Sequence, residues 1–166
     1  PASVSFPEET GSTFEENARI KADHLRSLGE ELVAGEDSGL AVDVLGGLPG
    51  VRSARFAGEG STDAANVAAL LAALAPFTDP VRRRARFITV VCLATPRETA
   101  FFRGEIEGVI VFEPRGSGGF GYDPVFEVPG TGRTFAEMAM EEKNAMSHRA
   151  AAFRALIARL SARGPA

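Results

Sequence analysis

Apolar and polar positions along this chain fall into several spacings, each of which predicts an element. Thr13-Phe14-Glu15-Glu16 has the spacing of a capping box, in which Thr13 accepts from an orphan amide and Glu16 reaches back to the cap. A helix is expected from there to about residue 29, with Phe14, Ala18, Leu25 and Leu28 as its apolar stripe and Glu15, Arg19, Asp23 and Arg26 pointing elsewhere. Lys21 falls inside that stripe, and Asn17 lies one turn earlier on the same side. The helix therefore aims a cation and an amide at the interior or at a cleft, unless the long lysine snorkels to solvent. Residues 31–35 read as a short strand, which Glu36-Asp37-Ser38-Gly39 breaks with turn-favouring residues. Residues 45–50, with paired glycines and a Pro-Gly, read as loop. A second capped helix starts at Ser61 or Thr62 and runs to residue 74, and a connector closed by Pro76 and Pro80 follows.

The β-branched and aromatic content of residues 86–95, 99–106 and 108–112 predicts three strands in an antiparallel or mixed arrangement, and the basic run Arg82 to Arg84 before them reads as solvated. Gly116-Ser117-Gly118-Gly119-Phe120-Gly121 fits neither helix nor strand and reads as a loop. A second capping signature, Thr134-Phe135-Ala136-Glu137, precedes a short helix carrying Glu141, Glu142 and Lys143. Ser147 then caps a last helix whose expected buried face is Ala150, Phe153, Ile157 and Leu160. His148 and Arg149 occupy its first turn, where the helix dipole disfavours positive charge. A bound anion, a carbonyl oxygen or a neighbouring carboxylate would each compensate.

At 166 residues the chain suits one domain or one tightly packed pair of lobes, and 45% hydrophobic with 24% charged residues is the composition of a globular protein. The longest mainly apolar stretch, residues 87–94, is too short to cross a bilayer, and no basic segment followed by an apolar one opens the chain, so a soluble, unsecreted protein is expected. The single cysteine, Cys92, has no internal disulfide partner and is expected to be a buried thiol in a reducing cytoplasm. A formal net charge of -4 argues against broad nucleic-acid or membrane-surface binding, so an anionic ligand needs local cations or a metal. Among 18 Lys and Arg residues, lysine occurs only at Lys21 and Lys143. Arginine fills the generic surface positions, which directs attention to those two.

Acidic pairs stand beside turn residues at Glu8-Glu9 and Glu36-Asp37. Mg²⁺ takes one or two carboxylates with waters and substrate phosphates, and such acids are otherwise ordinary solvent-facing turn residues. Combined with the two lysines and the cationic helix start, they suggest a phosphate site. The segment from Gly116 to Asp123 adds glycines that admit close backbone approach and aromatics able to stack on a planar base, or equally a tight structural turn. No GxxxxGK[ST] loop is present, and one cysteine with only His24 and His148 makes a zinc site or a Cys/His dyad improbable.

Taken together, Thr13-Phe14-Glu15-Glu16-Asn17-Ala18 with Lys21-Ala22, Glu36-Asp37-Ser38-Gly39-Leu40, Pro49-Gly50-Val51 and Ser53-Ala54-Arg55-Phe56-Ala57-Gly58 resemble the noncanonical purine nucleoside triphosphate pyrophosphatases, the inosine triphosphatase family. Gly118-Gly119-Phe120-Gly121-Tyr122-Asp123-Pro124, Thr134-Phe135-Ala136-Glu137-Met138, Glu142-Lys143-Asn144 and Ser147-His148-Arg149-Ala150 extend the resemblance, in the family's order, over nearly the whole chain. The resemblance implies an α/β fold with an elongated mixed β-sheet and helices forming two lobes around a central cleft. It implies Mg²⁺-dependent hydrolysis of inosine, deoxyinosine and xanthosine triphosphates to monophosphate and pyrophosphate, by a cytoplasmic homodimer acting on a small-molecule nucleotide. By motif, Asp37 becomes the general base and a metal ligand, with Glu9 as the second metal carboxylate. Lys21 and Ser38 would contact phosphates, Phe120, Gly121, Tyr122 and Asp123 would form the nucleoside-side loop, and Lys143, His148 and Arg149 would line the base pocket. Glu36 stands where the family usually has a first aspartate, a departure expected to have a small effect because Asp37 is intact. The family also carries a strand and a Ser/Thr-x-Asn-x-x-Lys loop upstream of the Glu-Thr-Gly segment, which these 166 residues do not include. Weak triphosphate binding and slow turnover are therefore expected of the chain alone. A nucleotide-binding or dimerising remnant without catalysis, or a related pyrophosphatase of modified pyrimidine nucleotides, are the alternatives.

Overall fold

The computed structural model describes residues 7–162 and builds them around one five-stranded sheet. The capping box forms as expected: Glu16 donates its amide to Thr13 Oγ1 and accepts the Thr13 amide, opening helix α1 (Phe14–Ser27). Strands β1 (Val33–Val42), β2 (Arg84–Ala94), β3 (Thr99–Ile110), β4 (Phe126–Val128) and β5 (Arg133–Thr134) lie in sequence order, and every pairing among them is antiparallel. Helix α2 (Asp63–Ala73) is capped by Thr62, α3 spans Met140–Met146, and α4 (His148–Ser161) is capped by Ser147, whose hydroxyl accepts the Ala150 amide. Among the described residues no helix is long and apolar enough to cross a membrane.

The sheet is covered on both faces. Helix α1 packs through Phe14, Ala18 and Ala22 onto Val33, Ile88, Val90 and Cys92. On the other face α4 packs through Ala152 and Leu156 onto Val91 and Leu93, and α2 joins the larger core around Leu40, Phe87, Phe126 and Phe135. Two glycines set how closely the long helices approach. A Cβ at Gly35 would lie 2.1 Å from the Ala18 carbonyl oxygen, and one at Gly104 would lie 2.0 Å from the His148 carbonyl oxygen. Only residues without side chains admit helix backbone so near a strand, and the starting turn of α4 is thereby pinned over β3.

Several sequence expectations are corrected. Strand β1 does not break at Glu36-Asp37-Ser38-Gly39 but runs through it, paired with β2 from Val33 opposite Ala94 to Val42 opposite Ala85. Turn preference loses because Glu36 and Asp37 find partners off the sheet, in Arg149 and in Lys21 and Asn17, so extended backbone leaves neither carboxylate stranded. Residues 99–110 form one strand where two were expected. Leu28 lies past the end of α1 and is exposed, whereas Ala22 and Asn17 complete its buried face. The buried face of α4 is His148, Ala152 and Leu156, with Ile157 exposed, because the helix meets Gly104 through its smallest side chains. Cys92 is buried as expected, and burial pushes its thiol up to about 11.

The basic run is not solvated throughout. Arg83 is 2% exposed and donates to the carbonyls of Leu74, Phe77, Ile110 and Val111, stitching the end of α2 to the end of β3. Truncation leaves several acceptors without a donor, each costing about 1–3 kcal/mol. Arg83→Met is expected to lower unfolding stability by about 3 kcal/mol, read as a decreased urea midpoint. An unchanged midpoint would remove this role from Arg83.

Candidate active site

Period-two alternation along β1 distributes three consecutive polar residues over two faces of the sheet. Asp37 faces α1, while Glu36 and Ser38 face the side of α4. On the α1 side, Lys21 reaches the edge of β1. Its ammonium lies 2.7 Å from Glu9 Oε1 and 2.8 Å from Asp37 Oδ1, and donates to the Glu36 carbonyl at 2.8 Å. Lys21 therefore turns inward rather than snorkelling away. Asn17 donates to Asp37 Oδ2 at 3.3 Å and accepts the Gly11 amide at 2.8 Å, tying the loop that carries Glu9 to the same carboxylate. Arg55 adds a second cation, donating to the Glu9 carbonyl at 3.3 Å with its guanidinium 3.6 Å from Glu9 Oε2.

Burial works against the Lys21 ammonium, but hydrogen bonds to Asp37 and Glu9 outweigh it and hold the pKa above the ordinary lysine value. Asp37 is 6% exposed, and its carboxyl is raised from the ordinary aspartate value: burial, aided by the Glu9 charge, exceeds what Lys21 and Asn17 contribute in the other direction. The two shifts have different causes: burial dominates at the Asp37 carboxyl, and hydrogen bonds to two carboxylates dominate at the Lys21 ammonium.

Among the described residues no three His, Cys, Asp or Glu side chains converge as a ready metal cage. Two carboxylates nevertheless bracket one positive charge, with oxygen atoms alone as donors, which is the protein's share of a Mg²⁺ site when waters and phosphates supply the rest. Glu9 and Asp37 are thus the residues present that fit such an ion.

Beyond Ser38, on the other face, opens a cleft of about 400 Å³. Its walls come from the turn at Ser53, the start of α2 at Asp63, the glycine loop, Lys143 of α3 and the first turn of α4. The glycine loop is held internally. Asp123 is buried, accepts the Phe120 amide at 2.8 Å and forms an ion pair with Lys143 through the same oxygen. Tyr122 donates its hydroxyl to the Ser53 carbonyl at 2.8 Å, and burial raises its pKa. The Gly121 amide donates to Asp63 at 2.6 Å. Asp123 and Tyr122 thereby shape the loop, whereas Phe120, 64% exposed, presents its ring at the cleft with the Lys143 ammonium 4.7 Å from the centroid.

His148 stacks on Phe87, with centroids 4.9 Å apart and planes 9° from parallel. Its Nδ1 is buried without a hydrogen-bond partner, so a bond from this ring to a ligand uses Nε2. Arg149 lines the cleft and is held by Glu36, the neighbouring carboxylate that offsets its place at a helix start. All the sequence-predicted site residues are thus brought to two adjoining places, Glu9, Lys21 and Asp37 on one side of β1 and the rest around the cleft. Sequence reasoning missed Arg55, although it sits in a quoted motif, and Phe87, which looked like any strand aromatic.

Burial, assisted by the charges of Arg149 and Lys143, pushes His148 down to about 4, leaving it neutral at neutral pH. Between that value and the ordinary histidine pKa the unfolded chain binds the extra proton, so stability rises with pH across this window and is flat above it. The loss on acidifying from about pH 6.5 to about pH 4 is on the order of 3 kcal/mol from this residue. Urea unfolding of the protein and of His148→Phe is expected to show a steeper fall in the unsubstituted protein. Parallel pH profiles would contradict a buried neutral imidazole.

A sequence model of the Ham1 family matches residues 2–159. A dITP/XTP pyrophosphatase of Streptococcus pneumoniae is 52% identical over 150 residues, covering 90% of this chain and 75% of that protein. One from Streptococcus thermophilus is 53% identical over 150 residues, covering 90% of this chain, which spans only 46% of that longer protein. The solved Ham1 protein of Coxiella burnetii matches with a TM-score of 0.90 at 44% identity, covering 96% of this chain and 82% of that one. From the family match over almost its whole length and relatives at this identity, the chain belongs to the Ham1 family.

Proposed function

We propose that this chain hydrolyses noncanonical purine nucleoside triphosphates, dITP, ITP and XTP, to the monophosphate and pyrophosphate with Mg²⁺ as cofactor. One observation carries the reading: a carboxylate-ammonium cluster at Glu9, Lys21 and Asp37 adjoins, across one strand, a cleft lined by an exposed aromatic and by Lys143, His148 and Arg149. An acid-rich end suits a chelated polyphosphate and a cationic, aromatic end suits a 6-oxopurine. Relatives named dITP/XTP pyrophosphatase at 52% and 53% identity support the same substrate class.

In this reading Asp37 accepts a proton from the attacking water, and its burial favours that basicity. Water oxygen bonds to the α-phosphorus, the bond to the bridging oxygen breaks, and pyrophosphate leaves. Glu9 and Asp37 would hold Mg²⁺, which when bound would supply neutralisation of phosphate charge and polarisation of the phosphorus. Lys21, with Arg55 beside it, then turns from the carboxylates toward phosphate oxygens, and the Ser38 hydroxyl donates to the phosphate nearest the nucleoside. Phe120 stacks on the base, with Gly121, Tyr122 and Asp123 fixing the loop, Lys143 bracing the ring, and His148 and Arg149 donating to the 6-oxo group. Adenine's 6-amino group leaves such donors unpaired, a penalty of about 1–3 kcal/mol per group. A cytoplasmic homodimer acting on free nucleotide, without nucleic acid or membrane as partner, completes the proposal. The net charge of -4 is consistent with it.

Pyrophosphate release from dITP and XTP is expected with Mg²⁺ and not with excess chelator, and release from dATP is expected to be about 10²-fold less efficient. Asp37→Asn is expected to lower kcat by about 10²–10⁴-fold with the fold intact by circular dichroism. Turnover that survives this substitution would displace Asp37 as the base. Tight dITP binding without release would instead favour the noncatalytic remnant.

A further inference from the structure

The side chain that fixes Arg149 has no part in the scheme above. Glu36 Oε1 accepts from Arg149 Nε at 2.7 Å and Glu36 Oε2 accepts from Arg149 Nη2 at 3.0 Å, a bidentate clasp between β1 and α4. Two of the five guanidinium N–H groups are consumed and three remain, on the edge turned away from Glu36. The guanidinium carbon also lies 6.0 Å from the Phe120 centroid, so Phe120 has cations from both α3 and α4 beside it. Without Glu36, a half-exposed arginine at a helix start would have neither charge compensation nor a defined orientation. The same residue gives its main-chain carbonyl to Lys21, so one strand position ties the phosphate-side cation to the base-side cation.

We infer that Glu36 is a positioning residue for base discrimination: by taking one edge of the Arg149 guanidinium it presents the other edge to the 6-oxo group of the purine. This rests on the substrate reading given above and deepens it. Preorganisation means that ligand binding does not have to immobilise a long side chain, and a guanidinium held by its Nε edge meets a carbonyl oxygen far better than an amino group.

The experiment measures steady-state kinetics on dITP and dATP for the unsubstituted protein, Glu36→Gln and Glu36→Asp, together with calorimetric binding of the monophosphates dIMP and dAMP. Glu36→Gln removes the charge and one of the paired contacts. It is expected to raise KM for dITP about tenfold with kcat within about twofold, to weaken dIMP binding in parallel, and to shrink the dITP-to-dATP ratio of kcat/KM about tenfold. Glu36→Asp is expected to recover most of all three. The Arg149 Nε–H resonance, assigned by its loss in Arg149→Lys, is expected to exchange slowly with water in the unsubstituted protein and rapidly in Glu36→Gln. If Glu36→Gln lowers thermal stability but leaves the dITP-to-dATP ratio unchanged, Glu36 is only a structural counterion and the inference falls alone. A protein without any preference for dITP over dATP overturns the substrate reading, and this inference with it.

Discussion

Two carboxylates and a main-chain carbonyl reach the Lys21 ammonium from two places in the chain, and the layout of the site follows from satisfying that one cation. A lysine on the buried face of an amphipathic helix has to be paired or pushed out, because desolvation of an unpaired charge is too costly. Here it is paired by Glu9 from the preceding loop, and by Asp37 with the Glu36 carbonyl from β1. The pairing brings the acidic loop against the strand edge, and Asn17, one turn earlier, secures the same carboxylate and the start of the loop. Loss of the ammonium would leave two carboxylates facing each other at the edge of the sheet. The fold thus holds at this point the charge arrangement on which the proposed binding of a divalent ion and a polyphosphate rests.

Alternation along an extended strand supplies the second element of the design. A turn at Glu36-Asp37-Ser38-Gly39 could have sent these side chains in any direction, but a strand sends Asp37 one way and its two neighbours the other. The carboxylate-ammonium cluster and the cleft are thereby separated by the thickness of a single strand, with Ser38 at the entrance of the cleft. On the recognition side the polar groups are arranged in series. Asp123 holds the Phe120 amide and Lys143, Lys143 lies against the Phe120 ring, and Glu36 holds Arg149. Gly104 sets the height of the α4 starting turn and hence the depth of His148 over Phe87.

Much of this was legible in residue order where the signal is local. Capping boxes at Thr13 and Thr134 and the caps at Thr62 and Ser147 depend on contacts within four residues, and all four form. Lys21 could be singled out because it interrupted an apolar stripe and because lysine is scarce. The errors arose where a distant partner decides the outcome. Turn-prone residues became strand once Lys21 and Arg149 paired with them from 15 and 113 positions away. Arg83 became buried because carbonyls 27 and 28 residues later needed a donor. The rotation of α4 depended on a glycine in another element, which no periodicity within the helix reveals. The residues quoted from the motifs lie together around β1 and the cleft, while their division across two faces of one strand needed the sheet register.

In the proposed complex one ligand spans the edge of β1, its phosphates on the Lys21 side and its base in the cleft beside Phe120. The most direct measurement is a crystal structure of the Asp37→Asn protein with dITP and Mg²⁺. The account predicts phosphate oxygens within hydrogen-bond distance of Lys21 and the metal beside Glu9, with the purine against Phe120 and its 6-oxo group facing Arg149 and His148. A nucleotide bound with its triphosphate in the cleft, or with Lys21 still closed on its carboxylates and no phosphate nearby, would contradict it.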